Sequence, residues 1–299
     1  MEAMVLALHK ILANKRLHLK FSVRRRFVLD LLAVFSGLRP LVMVDYLPQV
    51  PNLHQQLGDI LCHLTQECGE VAPVLVMHIE ECSYLFHEVE LHDYMQWALT
   101  RNSGLKFVVL DDGPARMASS IEEVTTLAEF KKFEQILSHL CSARCKTLMG
   151  KTLEGCSLEV PFGKISPLDM GRFFQSSSIV LPTLNGWLLG YPIIYLFKEC
   201  AVSQAQRCLS TEQLQHYRLY ADSKLLRLVS TRSANNRLEG IQEELMSFTV
   251  PRELSGLGQT EPWAIQLLQN FVAKGHSSNG LWENIRMEVV IRDAQSIAF

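Results

Sequence analysis

The chain predicts an α/β fold with a mixed sheet, and three features of its apolar pattern carry that prediction. Short continuous apolar runs, Leu41 to Val44, Val74 to Met77 and Phe107 to Leu110, fit strands buried on both faces, as in a parallel sheet. Between them lie stretches with apolar residues three and four apart, the period of a helix with one buried face. Beyond Gly150 apolar and polar residues alternate, which marks half-exposed strands. The expectation is a parallel βαβ series in the first half, antiparallel strands with a β-hairpin in the second, and helices packed on the sheet.

Taken in order, Phe27 to Leu38 sets Phe27, Val28, Leu31, Leu32, Phe35 and Leu38 on one helical stripe, stopped by Gly37 and Pro40. After the strand Leu41 to Val44, the prolines Pro48 and Pro51 lead into a helix carrying Leu53, Leu57, Ile60, Leu61, Leu64 and Cys68, with Gly69 as its stop. Leu91, Tyr94, Met95 and Ala98 mark a third helix. Gly113 and Pro114 precede a long one, Ser119 to Cys141, whose core face is read as Ile121, Val124, Phe133, Ile136, Leu137 and Leu140. Leu158, Val160 and Phe162 alternate with Glu159 and Pro161 as a strand. Ile179 to Leu184 and Trp187 to Tyr195 flank Asn185-Gly186, a pair suited to a two-residue hairpin turn. A strand Leu225 to Val229, helices Glu239 to Phe248 and Glu261 to Lys274, and a strand with Ile285, Met287, Val289 and Ile291 facing inward complete the series.

No linker-like composition break interrupts these elements. The division expected is a basic amino-terminal arm, 1–23, and a single α/β domain, 24–299. A formal net charge of −2 supplies no global field toward nucleic acid or anionic membranes. The local basic patch, Lys15, Arg16, Lys20 and Arg24 to Arg26, reads as a solvated arm, since it lacks interleaved aromatics beyond Phe21. Met4 to Leu8 has charged flanks and no cleavage site, so it does not read as a secretory signal. The apolar stretch Ile179 to Phe197 is broken by Pro182, Asn185, Gly186, Gly190 and Pro192, which argues against a membrane span. The 8 cysteines are scattered, as in a reducing compartment; cytoplasm or nucleus is expected, with mitochondrial import as the other option left by Lys10, Lys15 and Arg16.

Carboxylates follow each of the three continuous apolar runs: Asp45, then Glu80 and Glu81, then Asp111 and Asp112. Ligands of open α/β sheets gather beyond the carboxyl ends of parallel strands, so these five are the candidate catalytic residues. Asp45, Asp111 and Asp112 would hold Mg²⁺ in a phosphohydrolase or nucleotide-binding site, with Glu80 or Glu81 as ligand or base. The plainer account, preferred, is that such acids cap exposed N–H groups where strands turn into helices. No other metal site is predicted. His87 and His92 are five apart, which turns a helix by about 500° and leaves the imidazoles roughly 140° apart. The pattern of His78 and Glu80 with Cys141 and Cys145 lacks the proline and the two-residue spacing of a zinc deaminase. Gly150-Lys151-Thr152 lacks the earlier glycine and the strand of a phosphate loop, and no nucleophile elbow or dinucleotide fingerprint occurs.

Candidate binding residues are Arg116, placed to meet a phosphate; Arg232 and Arg237, in a polar loop with Asn235 and Asn236; and Trp187 and Tyr191, aromatic anchors for a protein partner if the hairpin is at the surface, the preferred account being that these rings complete the core. The segment LPTLNGWLLGYPIIYL, Leu181 to Leu196, with VLDLL at Val28 to Leu32, resembles an uncharacterised vertebrate family of unknown function named for an open reading frame on human chromosome one. The resemblance runs from about Arg24 onward and brings no established activity or site residue with it. The reading is a soluble intracellular protein acting through protein–protein interaction, with the Mg²⁺-dependent enzyme as the alternative. Whether the chain is an enzyme, its partner and its oligomeric state are not legible in the sequence.

Overall fold

A computed structural model of the 299-residue chain describes residues 2–14, 19–47, 52–69, 73–100, 103–111, 113–150, 165–198, 202–223, 225–226 and 242–292. In chain order the elements are α1 (Glu2–Asn14), α2 (Phe21–Phe35), β1 (Leu41–Met43), α3 (Leu53–Cys68), β2 (Val74–Ile79), β3 (Cys82–His87), α4 (Glu88–Ala98), β4 (Lys106–Val109), β5 (Arg116–Met117) and α5 (Ser120–Gly150). There follow β6 (Leu168–Asp169), α6 (Gly171–Phe174), α7 (Leu181–Leu188), β7 (Ile193–Leu196), α8 (Val202–Thr211), β8 (Leu214–Ser223), β9 (Gln242–Pro251), α9 (Pro262–Ser277) and β10 (Trp282–Arg292). The chain forms two compact units, one of residues 1–96 and 129–177, the other of 97–128 and 178–299.

The fold is α/β with mixed sheets, as expected, but the strands pair differently from a βαβ series. In the first unit the strand order is β1-β3-β2-β6. β2 and β3 form an antiparallel hairpin in which Ile79 faces Cys82, so Glu80 and Glu81 are its two turn residues. Glu80 takes φ 51°, the positive φ that tight hairpins need, although neither residue is of the usual Gly or Asn type. β3 thereby occupies the place between β1 and β2, antiparallel to both, and the parallel contact is β2 with β6. α2 is buried from Phe27 through Phe35, and α3 covers the sheet with Leu57, Ile60, Leu61 and Leu64.

The expected arm is folded. α1 buries Met4, Val5, Leu8 and Leu12 against α3, and Lys10 reaches Glu67 at 3.4 Å. Met4 to Leu8 is apolar because it is a docking face. Arg24, Arg25 and Arg26 lie inside α2, which starts at Phe21 rather than Phe27.

The second unit holds β5-β4-β7 and β10-β8-β9. Phe107 to Leu110 is therefore in a different sheet from Leu41 to Val44 and Val74 to Met77, contrary to the single parallel series predicted. β4 and β7 are parallel, and β8 is antiparallel to both its neighbours. The Asn185-Gly186 segment is not a hairpin turn but the middle of α7: Pro182 in its first turn suits the helical φ, and Thr183, Leu184, Trp187 and Leu188 form a buried face. Glu239 to Phe248, expected as a helix, contributes its described part to β9. Leu219 pairs with Met246 and Tyr220 with Glu244, so Leu245 is an extra, bulged residue. The bulge shifts the buried parity from Glu243 and Leu245 to Met246, Phe248 and Val250, and adjacent buried residues imitate a helical stripe. The strand read at Leu225 to Val229 is helical at 225–226, and its remaining residues, like the strand read at Leu158 to Phe162, lie outside the described residues. α9 matches its expectation.

Inside the second unit Tyr217 stacks on Phe248 at 5.3 Å, with Trp263 at 4.8 Å from Tyr217 and Tyr191 at 5.5 Å from Phe248. This aromatic cluster gives β8 and β9 one dry face. Their other face carries the polar residues.

Candidate functional site

Each unit positions its own share of the predicted acids. β1 and β2 run the same way, both antiparallel to β3, so Asp45, Glu80 and Glu81 come to one end of the first sheet, all exposed. They surround Cys82, whose thiol pKa is pushed up by burial and by these three negative charges. A thiol held protonated is a poor nucleophile. Asp111 follows β4 in the second unit, and Asp112 lies outside the described residues. The single crevice of five acids required β1, β2 and β4 in one sheet, so the arrangement behind the Mg²⁺ reading is not the one formed. Among the described residues no three His, Cys, Asp or Glu groups are grouped to hold a metal ion.

Asp111 has a local structural role. Arg116 on β5 donates to Asp111 at 3.1 Å and, through both terminal nitrogens, to Glu122 at 2.9 and 3.1 Å. Glu122, the third residue of α5, closes a capping box: it accepts from the Ser119 backbone N–H at 2.7 Å while its own N–H donates to Ser119 Oγ at 3.4 Å. The Arg116 bonds and the Ser119 donors hold the Glu122 carboxyl down at about 2. Arg116, expected to meet a phosphate, is engaged by two carboxylates. Close by in the same unit, Glu212 accepts from the Ala115 N–H at 3.2 Å, and burial together with Glu212 pushes the Cys208 thiol up to about 11.

Trp187 is wholly buried on α7 and Tyr191 is half-buried against Phe248, so these rings pack in a core. Arg232 and Arg237 lie outside the described residues. His87 closes β3 while His92 stands on α4, 3.6 Å from Glu134. His78 stacks on His54 from α3, with centroids 4.1 Å apart; burial and the neighbouring ring lower the His54 pKa.

The arrangement the sequence reading missed is the polar face of β10-β8-β9. His216, Arg218 and Tyr220 alternate along β8 with the buried Tyr217, Leu219 and Ala221. Pairing sets Arg286 beside Tyr220 and Glu288 beside Arg218 on β10, with Ser247 and Glu244 on β9. The guanidinium groups of Arg218 and Arg286 lie 5.0 and 5.1 Å from the Tyr220 ring centroid, within cation–π range. Arg218 pairs with Glu244 at 2.6 Å, Arg286 is held by Glu288 and Gln242, and Arg292 donates to His216 at 3.0 Å. Burial and the two arginines Arg292 and Arg218 lower the His216 pKa, which leaves its ring neutral and able to accept. A single signal pointed here: the alternation of His216, Arg218 and Tyr220, of the kind read correctly for β10.

No helix among the described residues is long and apolar enough to cross a membrane. No curated protein and no solved structure matches the chain. A family profile described as a domain of unknown function, DUF4504, matches residues 9–299, nearly the whole sequence, and the chain belongs to that family.

Proposed function

We propose that this protein acts through protein–protein interaction and that its contact surface is the polar face of β10-β8-β9. One observation carries the reading: a half-buried tyrosine, Tyr220, flanked by two arginines whose guanidinium planes are already fixed by Glu244, Glu288 and Gln242. Tyrosine and arginine are the side chains that most often anchor interfaces. Fixing them before contact reduces the ordering cost of binding. Arg218, Arg286 and Arg292 stand on this face beside Glu244 and Glu288, so it offers fixed charges of both signs to a partner of complementary pattern. The scattered cysteines support a reducing compartment, cytoplasm or nucleus; Cys62, Cys68, Cys82, Cys141 and Cys208 form no disulfide.

The test is photo-cross-linking in cells from Ser247→benzoylphenylalanine, on the same face one strand away from Tyr220. The reading expects a discrete cross-linked partner that disappears when Tyr220→Ala and Arg286→Ala are added without loss of the folded state. Capture unchanged by those substitutions would refute it.

A further inference from the structure

β10 is an edge strand among the described residues, paired on one side with β8 from Arg286–Tyr220 through Arg292–Leu214. Near its end Val290 and Ile291 are 49% and 51% exposed. As neighbours in a strand they project from opposite faces of the sheet. A partner on one face would cover one of them; a strand added along the edge would cover both. Natural edges are commonly blunted by a bulge, a proline or an inward charge. Here the bulge sits at the other end, at Asn284 and Ile285, where Asn284 takes φ 50°, and Glu288 through Arg292 runs in regular register.

The segment is complementary to itself. Antiparallel pairing about Val290 sets Val290 against Val290 of a second copy, Val289 against Ile291, and Glu288 against Arg292, twice by symmetry. Centring on Glu288 would oppose two acids, and centring on Val289 would oppose Arg286 with Arg292. Centring on Met287 matches Arg286 with Glu288 but carries the partner strand into the bulge and leaves Val290 facing Asn284.

We infer that β10 pairs edge to edge with β10 of a second copy of this chain, centred on Val290, to form a two-fold symmetric dimer with one continuous six-stranded sheet. This rests on the reading of the β10-β8-β9 sheet as an interaction element and names one of its partners. Sedimentation velocity on the full chain, from low micromolar to roughly 100 µM, tests it. Dimer is expected for the wild type, and Val290→Lys is expected to weaken it by about tenfold or more at unchanged melting temperature. Glu288→Arg places like charges opposite Arg292 and weakens the dimer; adding Arg292→Glu restores it. A wild type that stays monomeric throughout, a dimer indifferent to Val290→Lys, or a double variant no better than Glu288→Arg overturns the inference. The cross-link from Ser247, read beside the sedimentation result, separates the two claims: capture of a different protein, lost with Tyr220→Ala and Arg286→Ala, by a chain that stays monomeric upholds the face while the edge fails.

Discussion

Glu122 shows how a side chain of functional type is absorbed by structure. It closes a capping box with Ser119 and holds both terminal nitrogens of Arg116. Its folded pKa, about 2, lies below its ordinary 4.5, so it contributes stability that is complete above about pH 4.5 and is lost as pH falls toward 2. Both partners are solvent-exposed, so screening keeps that contribution small. Carboxyl-carbon NMR should place the Glu122 midpoint near 2 and return it toward 4.5 in Arg116→Ala. A midpoint that does not move would mean Arg116 does not hold it. Asp30 carries a larger load: it is 2% exposed, accepts from Arg26 Nε and Nη2 at 3.0 Å each and from the Tyr46 hydroxyl at 2.7 Å, and faces the buried Arg39. Burial raises its pKa and those donors and cations oppose the rise. Asp30→Ala removes the acceptor of Arg26 and of the Tyr46 hydroxyl and the buried carboxylate facing Arg39, and should cost about 3–5 kcal/mol in urea unfolding. A loss under 1 kcal/mol would remove Asp30 from the core's supports.

At the scale of elements, close approach decides more than propensity. Gly58 lies within α3, where alanine would be favoured by about 1 kcal/mol on intrinsic grounds. A Cβ there would run into the backbone carbonyl of Ile165, which cannot rotate away. Overpacking of this kind costs about 1–3 kcal/mol, so Gly58→Ala should lower stability despite the better helix former. A stabilised variant would show that the 165 segment moves at little cost. The same scale explains which parts of the fold were legible in the sequence. α3, α4 and α9 were, because apolar residues recur there at helical spacing. Asn185-Gly186 misled because Pro182 and a four-residue apolar spacing outweigh a turn signal, whereas the hairpin that does form turns on Glu80-Glu81, which has no such signal. α5 was found but its face was misjudged: Ile121 and Val124 are 79% and 66% exposed, and Thr126, Phe130, Phe133 and Leu137 are buried. A 31-residue helix with apolar residues on several sides gives no single stripe to read.

For the whole molecule, strand order was the part sequence could not supply, since a buried strand reads alike in either direction and in either sheet. Phe107 to Leu110 was recognisable as a strand, yet nothing in it says that β7 rather than β2 is its neighbour. The strands expected to bring the candidate acids together fall in two sheets for that reason, while the Arg218–Tyr220–Arg286 face was missed because β8 was not recognised. The division into units also leaves no composition mark, because two of its boundaries, 96/97 and 128/129, fall inside α4 and α5. We propose that residues 24–299 nonetheless behave as one domain, the helices carrying cooperativity across those boundaries. Calorimetry should then give one transition whose van't Hoff and calorimetric enthalpies agree; two resolved transitions would contradict it. We propose that function resides on the sheet face and not at the strand-end acids. Cross-linking yield from Ser247→benzoylphenylalanine, compared between Arg218→Glu/Arg286→Glu and Asp45→Asn/Asp111→Asn, addresses it most directly. Loss of capture with the arginine pair and full capture with the acid pair is the predicted result; capture that follows the acids and ignores the arginines would contradict it.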